Sequence, residues 1–167
     1  MATVEALLLA PGAGADRGLN RRAGALVRAD RESIGVARSA DLRWWDEAVT
    51  VQRPVAPWEL IQLGNCGPPV ETEAGWLVLT HGVGPVRRYA IGAALLDLDD
   101  PTVVRGVLPD PLLVPDEDER VGYVPNVVYS CGALVHADRL VLPYGCSDSS
   151  IRFAFVDLSA LLARLTA

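Results

Sequence analysis

Seven side chains in this 167-residue sequence have types and spacings that can do chemistry: Arg28, Glu71, Trp76, His81, Asn126, Tyr144 and Asp148. Arg28, His81 and Tyr144 each end a short apolar run, in GALVR, GWLVLTHG and RLVLPYG, at intervals of 53 and 63 residues. Three different polar groups at one repeat position mark either a shared site or three separate local hydrogen-bonding roles. A lone histidine favours the second reading, because most satisfy local structure. Two carboxylates stand near them. Glu71 precedes His81 by ten residues, and Asp148 follows Tyr144 by four. Either can be a solvated turn residue. A pair of carboxylates facing a polar pocket is also what glycosidic-bond cleavage requires, one group managing the leaving-group proton and the other activating water. Asn126 and Trp76 add the amide and the aromatic face that suit sugar hydroxyls and apolar sugar faces. From the residues alone, carbohydrate binding is the stronger inference and catalysis the weaker one.

The elements that must position these groups are strands. Trp76 to Leu79 is a run of strand formers bounded by glycines, the pattern of a strand buried on both faces. Each apolar run is followed by a polar turn and a second strand: SIGVARSADL, RYAIGAALLDL and SIRFAFVDLSAL. Expected strands lie at 25–29, 33–37, 47–52 and 60–63, then in a hairpin over 75–98 and in a third unit from Tyr123. GNCGPP reads as a shaped loop whose backbone can approach a ligand. The proline-rich, acidic stretch 109–122 reads as a surface loop. Only 159–165 carries a helix signal, with Ser159 as the expected N-cap. The fold class is all-β, with one short C-terminal helix. Its repeat is slightly longer than the roughly 40–50 residues of a four-stranded propeller blade. The organisation expected is an irregular leader over 1–22, rich in Gly, Ala and Arg, and one domain over 23–167 built of about three blades.

Composition limits the partners. An apolar content of 50% with mean hydropathy +0.24 suffices for a core. A net charge of −6 without a Lys/Arg cluster excludes a nucleic-acid surface. No apolar run approaches the ~18 residues that span a bilayer, and Glu5 stands where a secretion signal needs basic residues. Cys66, Cys131 and Cys146 cannot all pair internally and lack metal-ligand spacing. The expectation is a reduced, cytoplasmic protein without a metal or bound cofactor.

The runs LGNCGPPVETEAGWLVLTHGV, RYAIGAALLDLDDP, GYVPNVVYSCGAL and PYGCSD, in that order, resemble the C-terminal half of glycoside hydrolase family 130. The similarity extends from about Arg22 to the C-terminus. It implies a β-mannoside or related oligosaccharide as substrate and a five-bladed β-propeller, of which this chain holds about three blades. In phosphorylase members, the resemblance implies that Arg28 and His81 help hold inorganic phosphate as co-substrate. Where those enzymes carry a lysine after a Pro-Pro-Ile triplet, this chain has Glu71. That substitution implies a hydrolase-like site with Glu71 as general base, with the retained His81 a departure from the hydrolase pattern. Tyr144 and Asp148 match the segment lining the sugar subsite, and Asn126 the segment next to it. The family's proton-donating aspartate lies in an EDPR-like segment that these 167 residues do not contain. Two expectations follow: a carbohydrate-active enzyme whose missing blades come from a homo-oligomer or a separate partner, or a non-catalytic remnant that binds a saccharide or only assembles.

Overall fold

The computed structural model describes residues 8–9, 23–28 and 30–167. Among them the chain forms three antiparallel sheets and one short α-helix. The first sheet has the order β1 (Leu8–Leu9), β2 (Ala23–Val27), β3 (Ile34–Ser39) and β4 (Val49–Gln52). Leu8 and Leu9 pair with Ala25 and Gly24, so a strand falls within the segment expected to be irregular. The remainder of that leader lies outside the described residues.

The second sheet holds β5 (Gln62–Asn65), β6 (Val70–Thr72), β7 (Gly75–Val83), β8 (Tyr89–Leu96) and β9 (Val104–Val107). Its order is β5-β7-β8-β9, and β6 continues along the β5 side of β7. The third sheet is built on β12 (Arg139–Cys146), with β10 (Val128–Tyr129) and β11 (Leu134–His136) on one side and β13 (Ser150–Asp157) on the other. The helix α1 (Leu158–Leu165) follows.

Packing explains the near-continuous apolar pattern of β7, in which every residue is buried. Successive side chains of a strand point to opposite faces. Leu77 and Leu79 therefore enter one core with Leu140, Leu142 and Tyr144 of the third sheet. Trp76 and Val78 enter another with Leu26, Ile34 and Val36 of the first. The second sheet is thus the middle layer, covered on both faces as such a sequence requires. The first sheet carries a small third cluster on its far side, where Trp45 and Ala48 pack against Ala25, Val27 and Ala37.

Two local expectations shift. The helix is capped two residues earlier than the serine signal suggests, since the Asp157 carboxylate accepts from the backbone N–H of Ala160 at 2.8 Å. A carboxylate answers the partial positive charge of a helix N-terminus better than a hydroxyl does. The GNCGPP loop packs against protein backbone: Gly67, at φ 77°, lies so close to the third sheet that a Cβ there would sit 2.1 Å from the Cys131 carbonyl oxygen. That loop joins two layers.

Candidate active site around His81

His81 lies near the C-terminal end of β7, across from Gly64 on β5 and Ile91 on β8. It is 3% exposed. The Tyr89 ring stacks on the imidazole at 6.1 Å with a 15° interplanar angle. The Tyr129 ring meets it at 5.1 Å, tilted by 59°. Cys66 Sγ stands 3.8 Å from His81 Nδ1. Arg28, the residue after β2, arrives from the first sheet. A Cβ on Gly64 would fall 2.5 Å from His81 Cε1 and 3.2 Å from Arg28 Cδ, so only a glycine leaves room for both side chains. All three sheets contribute: Arg28 from the first, Gly64, His81 and Tyr89 from the second, and Tyr129 from the third.

Electrostatics set the protonation state. Burial drives the His81 pKa down, the Arg28 charge drives it further, and a hydrogen bond with the Asn65 backbone opposes both; the outcome is about 4. At neutral pH the site therefore combines a permanent guanidinium cation with an uncharged imidazole. Such a pair suits an anion or a row of hydroxyls.

Asn126 joins this neighbourhood through its backbone. Its carbonyl accepts from Tyr89 N–H at 3.0 Å, and its own N–H donates to the Arg120 carbonyl at 3.3 Å. Tyr144 is buried in the core between the second and third sheets and committed elsewhere. Its hydroxyl donates to Glu119 Oε1 at 2.8 Å, and burial together with that bond pushes its pKa up to about 12. Asp148 is exposed, at φ 52° in the turn between β12 and β13.

Two expected participants lie away from the site. Trp76 is a core residue between the first and second sheets, its indole N–H donating to the Leu98 carbonyl at 3.2 Å. It presents no open aromatic face. Glu71 is exposed on β6, directly opposite Trp76. Paired residues share a sheet face, and Trp76 and His81 differ by an odd number of positions, so Glu71 and His81 point to opposite faces. Five strand positions also separate them, roughly 16 Å at about 3.3 Å per residue. The structure does not bring Glu71 and His81 together.

Sequence reasoning overlooked Tyr89, Tyr129 and Glu119. Tyr89 was within reach of it, because the β7–β8 hairpin pairs it with Val83, on the same face as His81. Tyr129 comes from a different sheet and had no local signal. Glu119 sits in an acidic run that reads as solvated. Instead it is 2% exposed and gathers Tyr144, the Cys146 thiol at 3.6 Å, Arg152 at 3.2 Å and the Asp116 N–H at 2.9 Å. Burial pushes its carboxyl up, but these hydrogen bonds and the Arg152 charge prevail and hold it below the usual glutamate value.

The chain as a whole has matches among known proteins. The model of a family described as beta-1,4-mannooligosaccharide phosphorylase aligns with residues 28–166. This chain belongs to glycoside hydrolase family 130. A 1,2-beta-oligomannan phosphorylase from a Thermoanaerobacter species is 37% identical over 75% of this chain and 43% of its own length. A beta-1,2-mannobiose phosphorylase from Listeria innocua is 36% identical over 88% of this chain and 43% of its own. The solved beta-1,2-mannobiose complex of a Listeria innocua enzyme superposes with a TM-score of 0.80 at 35% identity, covering 89% of this chain and 44% of that one. A glycosyl hydrolase from Bacteroides ovatus gives 0.70 at 25% identity, over 86% and 44%. The family member described here therefore spans less than half the length of these relatives. Among its described residues, no helix is long and apolar enough to cross a membrane.

Proposed function

We propose that this chain forms the phosphate-holding side of a β-mannoside phosphorylase site, with its three sheets corresponding to three blades of the five-bladed propeller that the family resemblance implies. The observation that carries the reading is the juxtaposition of Arg28 with an uncharged His81 around Gly64. In phosphorolysis, a phosphate oxygen attacks the anomeric carbon, the bond from that carbon to the bridging oxygen breaks, and a general acid protonates the departing oxygen. Arg28 neutralises phosphate charge, and the imidazole supplies a hydrogen-bond donor without adding a second cation. The Tyr89 and Tyr129 rings fix the imidazole and keep water from it. The proton donor comes from outside the residues named here.

We favour phosphate as acceptor over the hydrolytic expectation, whose candidate base, Glu71, points to the face of its sheet opposite to His81. The two relatives at 36–37% identity are phosphorylases, which supports this preference. Titration calorimetry tests it: inorganic phosphate binds the wild-type chain, and Arg28→Ala weakens that binding at least tenfold. Equal affinity in the two proteins sinks the reading. The second reading is a saccharide-binding or assembly module without catalysis. It requires mannobiose binding with no turnover when phosphate is added.

A further inference from the structure

The first and second sheets are joined differently at the two ends of β7. On the face of the second sheet that looks toward the first, Trp76 and Val78 pack among Leu26, Ile34 and Val36. Farther along the same face come Thr80 and Gly82, paired with Gly92 and Ala90 of β8. Side chains this small give the first sheet little to grip. Trp58, in the connection from β4 to β5, covers them instead. A Cβ on Gly82 would lie 2.5 Å from Trp58 Cε3, and one on Gly92 would lie 2.6 Å from Cη2. The six-membered ring therefore spans both glycines, and no larger residue at either position would let it lie so close. Its Nε1–H donates to the Pro109 carbonyl at 3.1 Å, which fixes the half-buried indole from the side of β9.

We infer that Trp58 is a positioning residue for the Arg28–His81 pair, a clamp that holds the His81 end of the second sheet against the first; this role rests on the phosphate reading proposed above. The clamp is tied to both sheets. Behind the ring, the buried Glu59 accepts through Oε1 from the backbone N–H groups of Val55 and Ala56 at 3.0 and 3.2 Å, which stiffens the connection. Glu59 also backs onto β7, its Cβ 2.6 Å from where a Cβ on Gly82 would be. Ile61 N–H donates to the Val83 carbonyl of the β7–β8 hairpin at 2.9 Å, and Leu63 N–H to the Glu32 carbonyl of the β2–β3 turn at 3.0 Å. Both ends of the pair are thereby reached. Gly82, under the ring, directly follows His81, and Leu63 directly precedes Gly64, the residue that leaves room for His81 and Arg28 together. Without the indole, the end of β7 is free to relax away from the first sheet, and His81 moves away from Arg28. A displacement of this kind, made away from the reacting groups, is enough to weaken what they do.

Two readouts on Trp58→Ala test this, and only one involves phosphate. In an NMR titration the His81 midpoint should rise from about 4 by roughly one unit, because distance from the Arg28 charge and loss of burial both favour the protonated ring. In calorimetry the affinity for inorganic phosphate should fall about tenfold, and Trp58→Phe, which keeps an aromatic plate on Gly82, should recover most of both effects. A folded Trp58→Ala with the wild-type His81 titration overturns the inference, as does one that binds phosphate as tightly as the wild type does. If the wild type binds no phosphate, the phosphate reading fails and the titration alone decides whether Trp58 positions His81. Should Trp58→Ala not fold, Gly92→Ala takes its place: the added methyl crowds the ring at Cη2 and should raise the His81 midpoint, and Trp58→Phe in the same chain, with no atom there, should lower it again. A Gly92→Ala protein that titrates like the wild type, or a shift that Trp58→Phe leaves in place, overturns the inference equally.

Discussion

At the scale of single residues, His81 and Arg28 are coupled through charge. The imidazole is uncharged at pH 7 because protonation would bury a cation beside another cation. Unfolded, the same histidine titrates near 6.5. Between pH 6.5 and about 4 the unfolded chain therefore binds more protons at this site than the folded chain. The sign follows: the His81 contribution is fully present above 6.5 and is lost as pH falls toward 4, at about 3 kcal/mol over the whole window. The check is an NMR titration, in which the His81 ring stays unprotonated down to about pH 5. The Arg28→Met variant should raise that pKa, because the second-largest cause of the depression is then gone. A His81 resonance that titrates at 6.5 in the wild type, or one indifferent to Arg28→Met, would remove the electrostatic basis of the site. The relation between these two residues was partly legible in the sequence, because both close an apolar run at the same repeat position. Tyr144 ends the third run in the same way yet gives its hydroxyl to Glu119. Repeat position fixes where a backbone stands; the partner of a polar atom depends on what the loops bring to it.

At the scale of elements, two connections decide whether the site exists. The first is the contact of β5 with β7 at Gly64. A methyl group there meets His81 Cε1 at 2.5 Å and Nε2 at 2.9 Å, and the imidazole is held between Tyr89 and Tyr129, so it has nowhere to retreat. Gly64→Ala should cost about 1–3 kcal/mol in urea unfolding and abolish phosphate binding; an unchanged midpoint would mean that the imidazole is free to move. The second connection is the loop before β10, anchored by Glu119. Ser147 Oγ donates to the Glu119 carbonyl at 2.5 Å, and Val124 N–H to the Ser147 carbonyl at 3.2 Å. The same loop carries Asn126 to Tyr89. Glu119→Ala leaves the Tyr144 hydroxyl and Arg152 without their acceptor and should lower stability by about 2–4 kcal/mol. Accelerated hydrogen exchange confined to 116–127 and to Tyr89 would identify the loop as the part released, whereas uniform acceleration would contradict a local anchor. The strands of the middle sheet were the most legible elements, since burial on both faces leaves an apolar run that no other arrangement explains. Glu119 and the placement of Glu71 were not. Glu119 looks solvated until its partners arrive from β12 and β13, and the face on which Glu71 lies follows only from its register against Trp76.

At the scale of the whole molecule, three sequence repeats correspond to three stacked sheets, so layer order was legible once each unit was recognised as a sheet. The site is not the property of any one layer. Arg28, His81 and Tyr129 belong to three different sheets, and no stretch of sequence contains them together. It follows that assembly of the site depends on the stack being intact, and the proposed phosphorolysis also on whatever supplies the leaving-group proton. A chimera separates these two requirements. Replacing the matched segment of the Listeria innocua beta-1,2-mannobiose phosphorylase with residues 28–166 of this chain keeps the remainder of that enzyme, more than half its length. The chimera should release mannose 1-phosphate from β-1,2-mannobiose in the presence of phosphate, and Arg28→Ala within it should slow the reaction about a hundredfold by removing charge stabilisation of the attacking group. Product formation independent of phosphate would restore the hydrolytic reading and require a water-activating group other than Glu71. A folded chimera that binds mannobiose without turning it over would assign this chain to the non-catalytic reading, because the supporting half is then known to be competent and the deficit must lie in residues 28–166.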